Sequence, residues 1–295
     1  MRVSDQTRHF QNLRNLEGVT KRMDRVQEQL ASGKRVQRAS DDPAGVSAAL
    51  GYRTGIAFET QMRRNVENAT SLLDISDAAL GSATEAMQRV RELAVQAASD
   101  TLGADERTAI ASEVDQLTQQ LVQVANTNFG GEYIFAGHQT GNPAFVSTGQ
   151  PATGVTYQGD SGIRTRQISA TDTVEVNIPG STIFGTAFAD LISFRQALEA
   201  NAPAAQLQQG IAAMDTALDK ILAARLQVGA RTVRLAATQN QSETTDLTLQ
   251  SLKANVEDID IAEAIVNLNA QQNALQATLG AIGRTANMTL LDFLR

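Results

Sequence analysis

The chain of 295 residues contains no cysteine and no tryptophan, and only two histidines, His9 and His138. The missing cysteines exclude disulfides, cysteine-ligated zinc, iron–sulfur clusters and cysteine nucleophiles. Two histidines are too few for a metal site built from several imidazoles. Aromatic residues make up only 4% of the chain, which is little for a ligand pocket lined by aromatic side chains.

Basic charge and long apolar runs are also scarce. The net charge of −7 argues against a protein built to hold nucleic acid, because such domains carry a basic excess. No stretch approaches the roughly 18–20 uninterrupted apolar residues of a membrane span. The first residues, MRVSDQTRHFQNLRNLEG, lack the apolar core of a secretory signal. We therefore expect no nucleic-acid partner, no membrane contact and no cleaved signal peptide.

The common motifs of catalysis are missing as well. The patterns GxxxxGK[ST], HExxH and GxSxG do not occur, so no phosphate cradle, zinc protease or nucleophile elbow is indicated. Acidic pairs such as Asp41-Asp42 are interpreted as helix caps and solvated faces. The sequence thus predicts a non-enzyme without catalytic residues, cofactor or metal, and disfavours an enzyme carried in the middle of the chain.

The position of the prolines divides the chain into three parts. Pro43 is the only proline before Pro143, and none follows Pro203. The middle is rich in glycine, threonine and aromatic residues, a composition typical of strands and hairpins. We interpret residues 131–199 as a β-rich domain, with a turn at 159–162 between two strands.

The two proline-free arms repeat apolar residues every seven positions, which predicts helices packed in the manner of a coiled coil. The repeats are Val66, Leu73, Leu80, Met87 and Ala94 in the first arm and Leu207, Met214, Ile221, Val228 and Leu235 in the second. Small seam residues favour a multi-helix bundle over a lone two-stranded coil. The predicted fold is mainly α: an elongated, coiled-coil-like bundle built from both chain ends, with a β-rich insertion.

Both ends of the chain are amphipathic and carry opposite charge. Residues 1–40 hold nine basic and four acidic side chains, and residues 256–295 hold two and five, so we expect the ends to pair. The apolar face of each end cannot be fully covered by the other end. We therefore expect both ends to be mobile in the monomer and to become ordered on assembly. The candidate assembly residues are Phe10, Leu13, Leu16, Met23, Leu30, Ile261, Ile265, Leu268, Leu275, Leu279, Ile282, Leu290, Leu291 and Phe293.

Two motifs at opposite ends carry a family resemblance. LASGKRVQRASDDPAGVSAA at 30–49 resembles the entry segment of the bacterial flagellin family. VEDIDIAEAIVNLNAQQNALQATLGAIGRTANMTLLDFLR at 256–295 resembles the C-terminal assembly segment of that family. The matching residues of the first motif are Ser32, Gly33, Lys34, Arg35, Ala39, Ser40, Asp41, Asp42, Pro43, Ala44 and Gly45.

The resemblance implies a structural subunit of the flagellum, exported to the cell exterior through the flagellar export apparatus. It implies an inner-tube domain from residues 1–44 and 257–295 and an outer-tube helical domain from 45–130 and 200–256. Residues 131–199 would face solvent.

Within the family, the opening Met1-Arg2-Val3-Ser4 and the ending LLDFL favour the subunit that joins the hook to the filament. Such a subunit implies four partners: a ring of its own copies, hook-associated protein 1 on the hook side, flagellin on the filament side, and an export chaperone on the C-terminal region. Filament flagellin is the alternative within the family. A soluble coiled-coil adaptor or export chaperone is the alternative of a different class.

Overall fold

The structure is a computed structural model that describes residues 2–99 and 102–293, without the side chains of 2–6, 8, 9 and 285–293. The helices are α1 (Arg2–Ser32), α2 (Pro43–Ala97), α3 (Ala104–Ala125), α4 (Gly180–Phe184), α5 (Ala187–Glu199), α6 (Ala204–Glu257) and α7 (Ile261–Phe293). The strands are β1 (Asn128–Phe129), β2 (Glu132–Tyr133), β3 (Phe145–Thr148), β4 (Gly154–Tyr157), β5 (Thr165–Gln167) and β6 (Thr173–Glu175). The chain forms two compact units, residues 59–244 and residues 1–58 with 245–295.

The unit of residues 59–244 has a helical core that follows the predicted heptads. The repeat of α2 and the repeat of α6 are buried along their whole length, with Leu73, Leu80, Ile221 and Leu235 fully covered. Helix α3 adds buried apolar residues such as Val114 to the same core. The heptad prediction is therefore confirmed, and the fold is mainly α as expected.

Strands in this unit form three separate antiparallel hairpins, β1–β2, β3–β4 and β5–β6. Residues 159–162 lie between two strands, β4 and β5, as predicted, but these strands do not pair with each other, because β4 pairs with β3 and β5 pairs with β6. Asp160 explains the difference: its carboxylate accepts the backbone N–H groups of His138 and Gly162, at 2.7 and 2.9 Å. These bonds hold the segment against the loop after β2 and keep it from closing a hairpin.

The predicted β-rich segment also differs from the structure at its C-terminal end, where residues 180–184 and 187–199 are helical. Phe184 ends α4, Phe188 and Leu191 lie three positions apart on one face of α5, and all three are buried. Phe184 and Phe188 pack against Phe145 of β3, with ring centroids 5.8 and 5.0 Å away. The aromatic residues that suggested strands thus form the core between helices and hairpin.

The β5–β6 hairpin is fastened to the neighbouring helices by polar side chains. Arg231 of α6 pairs with Glu175, and Arg234 of α6 lies 2.5 Å from the carboxylate of Asp172. The Asn65 amide of α2 donates to the Gln167 carbonyl at 2.9 Å. The hairpin is thereby held by helices on its flanks and not by a wider sheet.

Candidate assembly interface

The unit of residues 1–58 and 245–295 contains the paired chain ends. Helices α1 and α7 pack against each other, and the Arg22 side chain of α1 donates to the Gln271 side chain of α7 at 3.2 Å. Val19 of α1 and Ala264 of α7 are buried. The two helices run antiparallel, because the end of α1 lies beside the start of α7 through an antiparallel bridge between Lys34 and Asp258.

The α1–α7 pair covers only part of the predicted assembly stripe. Phe10 and Ile261 keep 59% and 61% of their surface exposed, which leaves large apolar side chains in water. The exposed members are Phe10, Leu13, Ile261, Ile265 and Leu279, and the half-buried members are Leu16, Met23, Leu30, Leu268, Leu275 and Ile282. The side chains of Leu290, Leu291 and Phe293 lie outside the described residues.

Further exposed apolar residues in this unit fell outside the predicted stripe. Leu50 of α2, Leu247 and Leu252 of α6 and Val266 of α7 are exposed. In the sequence these residues can be recognised only as apolar residues at positions outside the heptad repeat. They add exposed apolar surface to this unit beyond the predicted stripe.

The first half of the flagellin-like motif ends α1 and turns the chain. Gly33 has φ +71°, the left-handed conformation that glycine adopts without a Cβ clash, and its N–H donates to the Gln29 carbonyl at 2.9 Å. The Ser32 hydroxyl oxygen accepts the N–H of Lys34 at 3.2 Å. Gly33 is therefore the C-terminal cap of α1.

The second half of the motif starts α2. The Asp42 carboxylate accepts the N–H of Gly45 at 2.9 Å, and Pro43 occupies the first helical position. A Cβ on Gly45 would lie 2.5 Å from an Asp42 carboxylate oxygen, so a side chain there would displace the cap. Asp41 accepts the Arg38 N–H at 3.2 Å. Ala39, Ser40 and Ala44 are exposed.

Glu257, at the end of α6, joins the motif to the C-terminal arm. Its side chain is 2% exposed, and one carboxylate oxygen lies 2.5 Å from both the Lys34 ammonium and the Arg53 guanidinium. Backbone bonds reinforce the contact, because the Arg35 N–H donates to the Glu257 carbonyl at 2.7 Å and the Ile259 N–H to the Gly33 carbonyl at 3.1 Å. We call residues 33–35, Arg53 and 256–259 the clasp.

The charge balance in the clasp holds Glu257 ionised. The hydrogen bond from Lys34 lowers the pKa of this carboxyl below its ordinary value, burial works in the opposite direction, and Arg53 adds to the lowering. The second carboxylate oxygen is buried without a hydrogen-bond partner. Sequence reasoning identified Lys34 within the motif but missed Glu257, because no local pattern links positions so far apart.

The described part of the chain was also searched for metal sites, histidine contacts and membrane-spanning helices. Within residues 2–99 and 102–293, no three His, Asp or Glu side chains come together in a way that could hold a metal ion. His138 is exposed, with Nδ1 3.9 Å from Asp160, and the side chain of His9 lies outside the described residues. In the same part of the chain, no helix has the length and hydropathy needed to cross a membrane.

Comparison with known protein families matches both arms. The family described as "Bacterial flagellin N-terminal helical region" matches residues 3–140, and "Bacterial flagellin C-terminal helical region" matches residues 211–294. Together these ranges cover more than half of the chain and include the motif and the clasp.

Individual relatives extend the match to the whole length. "Flagellar hook-associated protein 3" of Salmonella typhimurium is 25% identical over 100% of both chains. "Flagellar filament 33 kDa core protein" of Treponema phagedenis is 26% identical over 91% of both chains. The crystal structure of the flagellar junction protein FlgL from Legionella pneumophila shares the fold, with a TM-score of 0.58 and 16% identity over 73% of this chain and 100% of that one.

Proposed function

The chain belongs to the bacterial flagellin family, a family of structural flagellar proteins, and from that premise we propose that it forms the junction between hook and filament. The observation that carries this proposal is the match to hook-associated protein 3 from end to end of both chains, including residues 141–210, which lie between the two family ranges. A match confined to the terminal helices would not separate this role from that of other family members.

Assembly would proceed through the apolar faces that α1 and α7 leave exposed. Phe10 and Ile261 are each more than half exposed, and burying such side chains at a subunit contact removes apolar surface from water. We assign the predicted stripe, from Phe10 to Phe293, to contacts between copies. Residues 1–44 and 257–295 would form the inner tube, residues 45–130 and 200–256 the outer tube, and residues 131–199 the surface.

The junction role defines the neighbours of the subunit. Copies of the chain would form a short ring, with hook-associated protein 1 on one side and flagellin on the other. An export chaperone would hold the C-terminal region before assembly, which keeps the apolar face of α7 from associating early. The assembled subunit would lie outside the cell after export without signal cleavage.

Filament flagellin is the second candidate, and the match to a filament core protein over 91% of both chains favours it. The two candidates share the fold and the assembly surfaces. They differ in copy number and in position along the flagellum.

Immunogold electron microscopy distinguishes them, using antibodies raised against residues 131–199 on intact flagella. We expect label confined to one short band where hook meets filament. Label along the whole filament would overturn the junction role in favour of flagellin. An absence of flagellar label, with the protein present in the cell, would reject both and favour the soluble adaptor.

A further inference from the structure

The seven-residue repeats of α2 and α6 do not by themselves decide how far one helix is displaced along the other. Each repeat buries an apolar residue at every step, from Val66 to Ala94 in α2 and from Leu207 to Leu235 in α6. A displacement by seven residues, about 10 Å along the helix axis, would again place apolar residues opposite apolar residues. A feature other than the apolar repeat must therefore select one register.

A polar pair occupies the next step of both repeats. Glu59 lies seven residues before Val66, and Ser242 lies seven residues after Leu235. Ser242 is buried and Glu59 is half-buried, and the Ser242 hydroxyl donates to the Glu59 carboxylate at 2.6 Å. We call Glu59 and Ser242 the polar rung. The polar rung interrupts the apolar seam at one level and joins the two helices there.

Two ion pairs beside the seam show how the helices are oriented. Asp77 lies 3.1 Å from Arg225, and Arg91, later in α2, lies 2.5 Å from Asp215, earlier in α6, so the helices run antiparallel. These four side chains keep 37–47% of their surface exposed. Exposed ion pairs contribute little to stability, because water competes for both charges. The less exposed polar rung is therefore the stronger determinant of the register.

The polar rung fits one register and opposes its neighbours. In antiparallel helices, a shift of seven residues in one direction would bring Glu59 to the level of Leu235. A shift in the other direction would bring Ser242 to the level of Val66. Either shift would separate the Glu59 carboxylate from the Ser242 hydroxyl and place a polar side chain against an apolar one, which costs free energy.

We propose that the polar rung sets the axial register of α2 against α6. This role goes beyond the proposed function and does not depend on it. A polar pair in an apolar seam lowers the stability of the seam and selects one arrangement over the alternatives. A register shift would move every outward side chain of α6 by about 10 Å past α2. The polar rung thus determines which residues of the two helices share an outer surface within residues 59–244.

Double electron–electron resonance between two spin labels measures the register in the full-length chain. The chain has no cysteine, so Ser71→Cys in α2 and Thr216→Cys in α6, both at exposed positions, create the only labelling sites. The two labels lie at different heights along the helix pair, and a shift of seven residues changes that height difference by about 10 Å. We expect one distance in the labelled chain that keeps the polar rung.

Removing the polar rung should release the register without unfolding the helices. Glu59→Met combined with Ser242→Ala continues the apolar seam, so we expect helix content and urea stability at least as high as before. A second distance should appear in about 10% of the refolded molecules or more. Thr84→Val is the matched control, because the buried Thr84 hydroxyl bonds within α2, to the Leu80 carbonyl at 2.7 Å. The control should keep one distance.

The variants separate register selection from a general effect of buried polar groups. A single distance in the double variant would overturn the proposal, and so would a loss of its helix content. A second distance of equal population in Thr84→Val would also overturn it. Glu59→Gln keeps an acceptor for the Ser242 hydroxyl and should keep one distance. None of these distances depends on where the protein lies in the cell, so a failed immunogold result would leave the register assignment standing.

Discussion

The buried carboxylate of Glu257 lies 2.5 Å from the Lys34 ammonium, joining the flagellin-like motif after α1 to the last residue of α6. Arg53 meets the same oxygen at 2.5 Å. Three segments of the terminal unit thus converge on one acidic side chain. Lys34 and Arg53 are about half exposed, so water can partly compensate for the loss of either cation. Glu257 is buried, so water cannot take the place of its carboxylate.

Glu257→Gln should loosen the clasp. The neutral amide removes two charge-assisted contacts, and we expect a loss of about 1–3 kcal/mol in the stability of the terminal unit. Hydrogen exchange measures this at the Arg35 and Ile259 amides, which donate across the clasp. Glu263→Gln, at an exposed position of α7, is the control and should leave these two amides unchanged. Equal exchange rates in the two variants would show that the pairing contributes nothing.

The clasp should also weaken in acid. The pKa of Glu257 is lower in the folded protein than in the unfolded chain, where a glutamate titrates near 4.3. The stabilisation is therefore complete above that unfolded value and is lost as the pH falls through the folded pKa. Exchange at the Arg35 amide, corrected for its intrinsic pH dependence, should accelerate below about pH 4.3. In Glu257→Gln that acid-dependent step should be missing.

Two glycines of the first arm should respond to alanine with opposite signs. Gly33→Ala places a Cβ at φ +71° and should destabilise the turn by about 1 kcal/mol or more. Gly18→Ala lies inside α1, where the new Cβ would sit 3.6 Å from the Arg22 guanidinium, and should stabilise the helix by roughly 0.5–1 kcal/mol. Urea denaturation followed by circular dichroism gives both signs. Loss of stability in both variants would contradict the assigned roles.

The terminal helices should be the least protected part of the monomer. Amides of α1 and α7 should exchange much faster than those of residues 66–94 in α2, because the paired ends bury few large side chains. Assembly should slow their exchange. Deleting residues 290–295 should impair assembly and leave the α2 amides unchanged. Strong protection of both ends in dilute monomer would refute the coupling of order to assembly.

The sequence predicted those features that depend on neighbouring residues. The heptads of α2 and α6 identify the buried face, since helical period alone decides which side chains point together. The helix cap predicted at Asp41-Asp42 likewise depends on local chemistry, since Asp42 accepts the N–H of Gly45. The resemblance at both ends supplied the family.

Features set by distant contacts were missed. The turn predicted at 159–162 does not close a hairpin: β4 pairs with the earlier strand β3 and β5 with the later strand β6, and Asp160 binds the backbone of His138. The helix at 187–199 was missed because its phenylalanines favour a strand assignment, and the burial of Phe188 against Phe145 outweighs that preference. Glu257 belongs to no periodic pattern in the sequence, because only the tertiary fold brings its partners close to it.

The three hairpins share no strand with one another. Each of the described hairpins closes its own two-stranded ladder, and Arg231 and Arg234 of α6 fix β5–β6. Lengthening one of them would therefore break no hydrogen bond in the other two. Each hairpin turn should therefore accept an insertion independently of the turns of the other two hairpins.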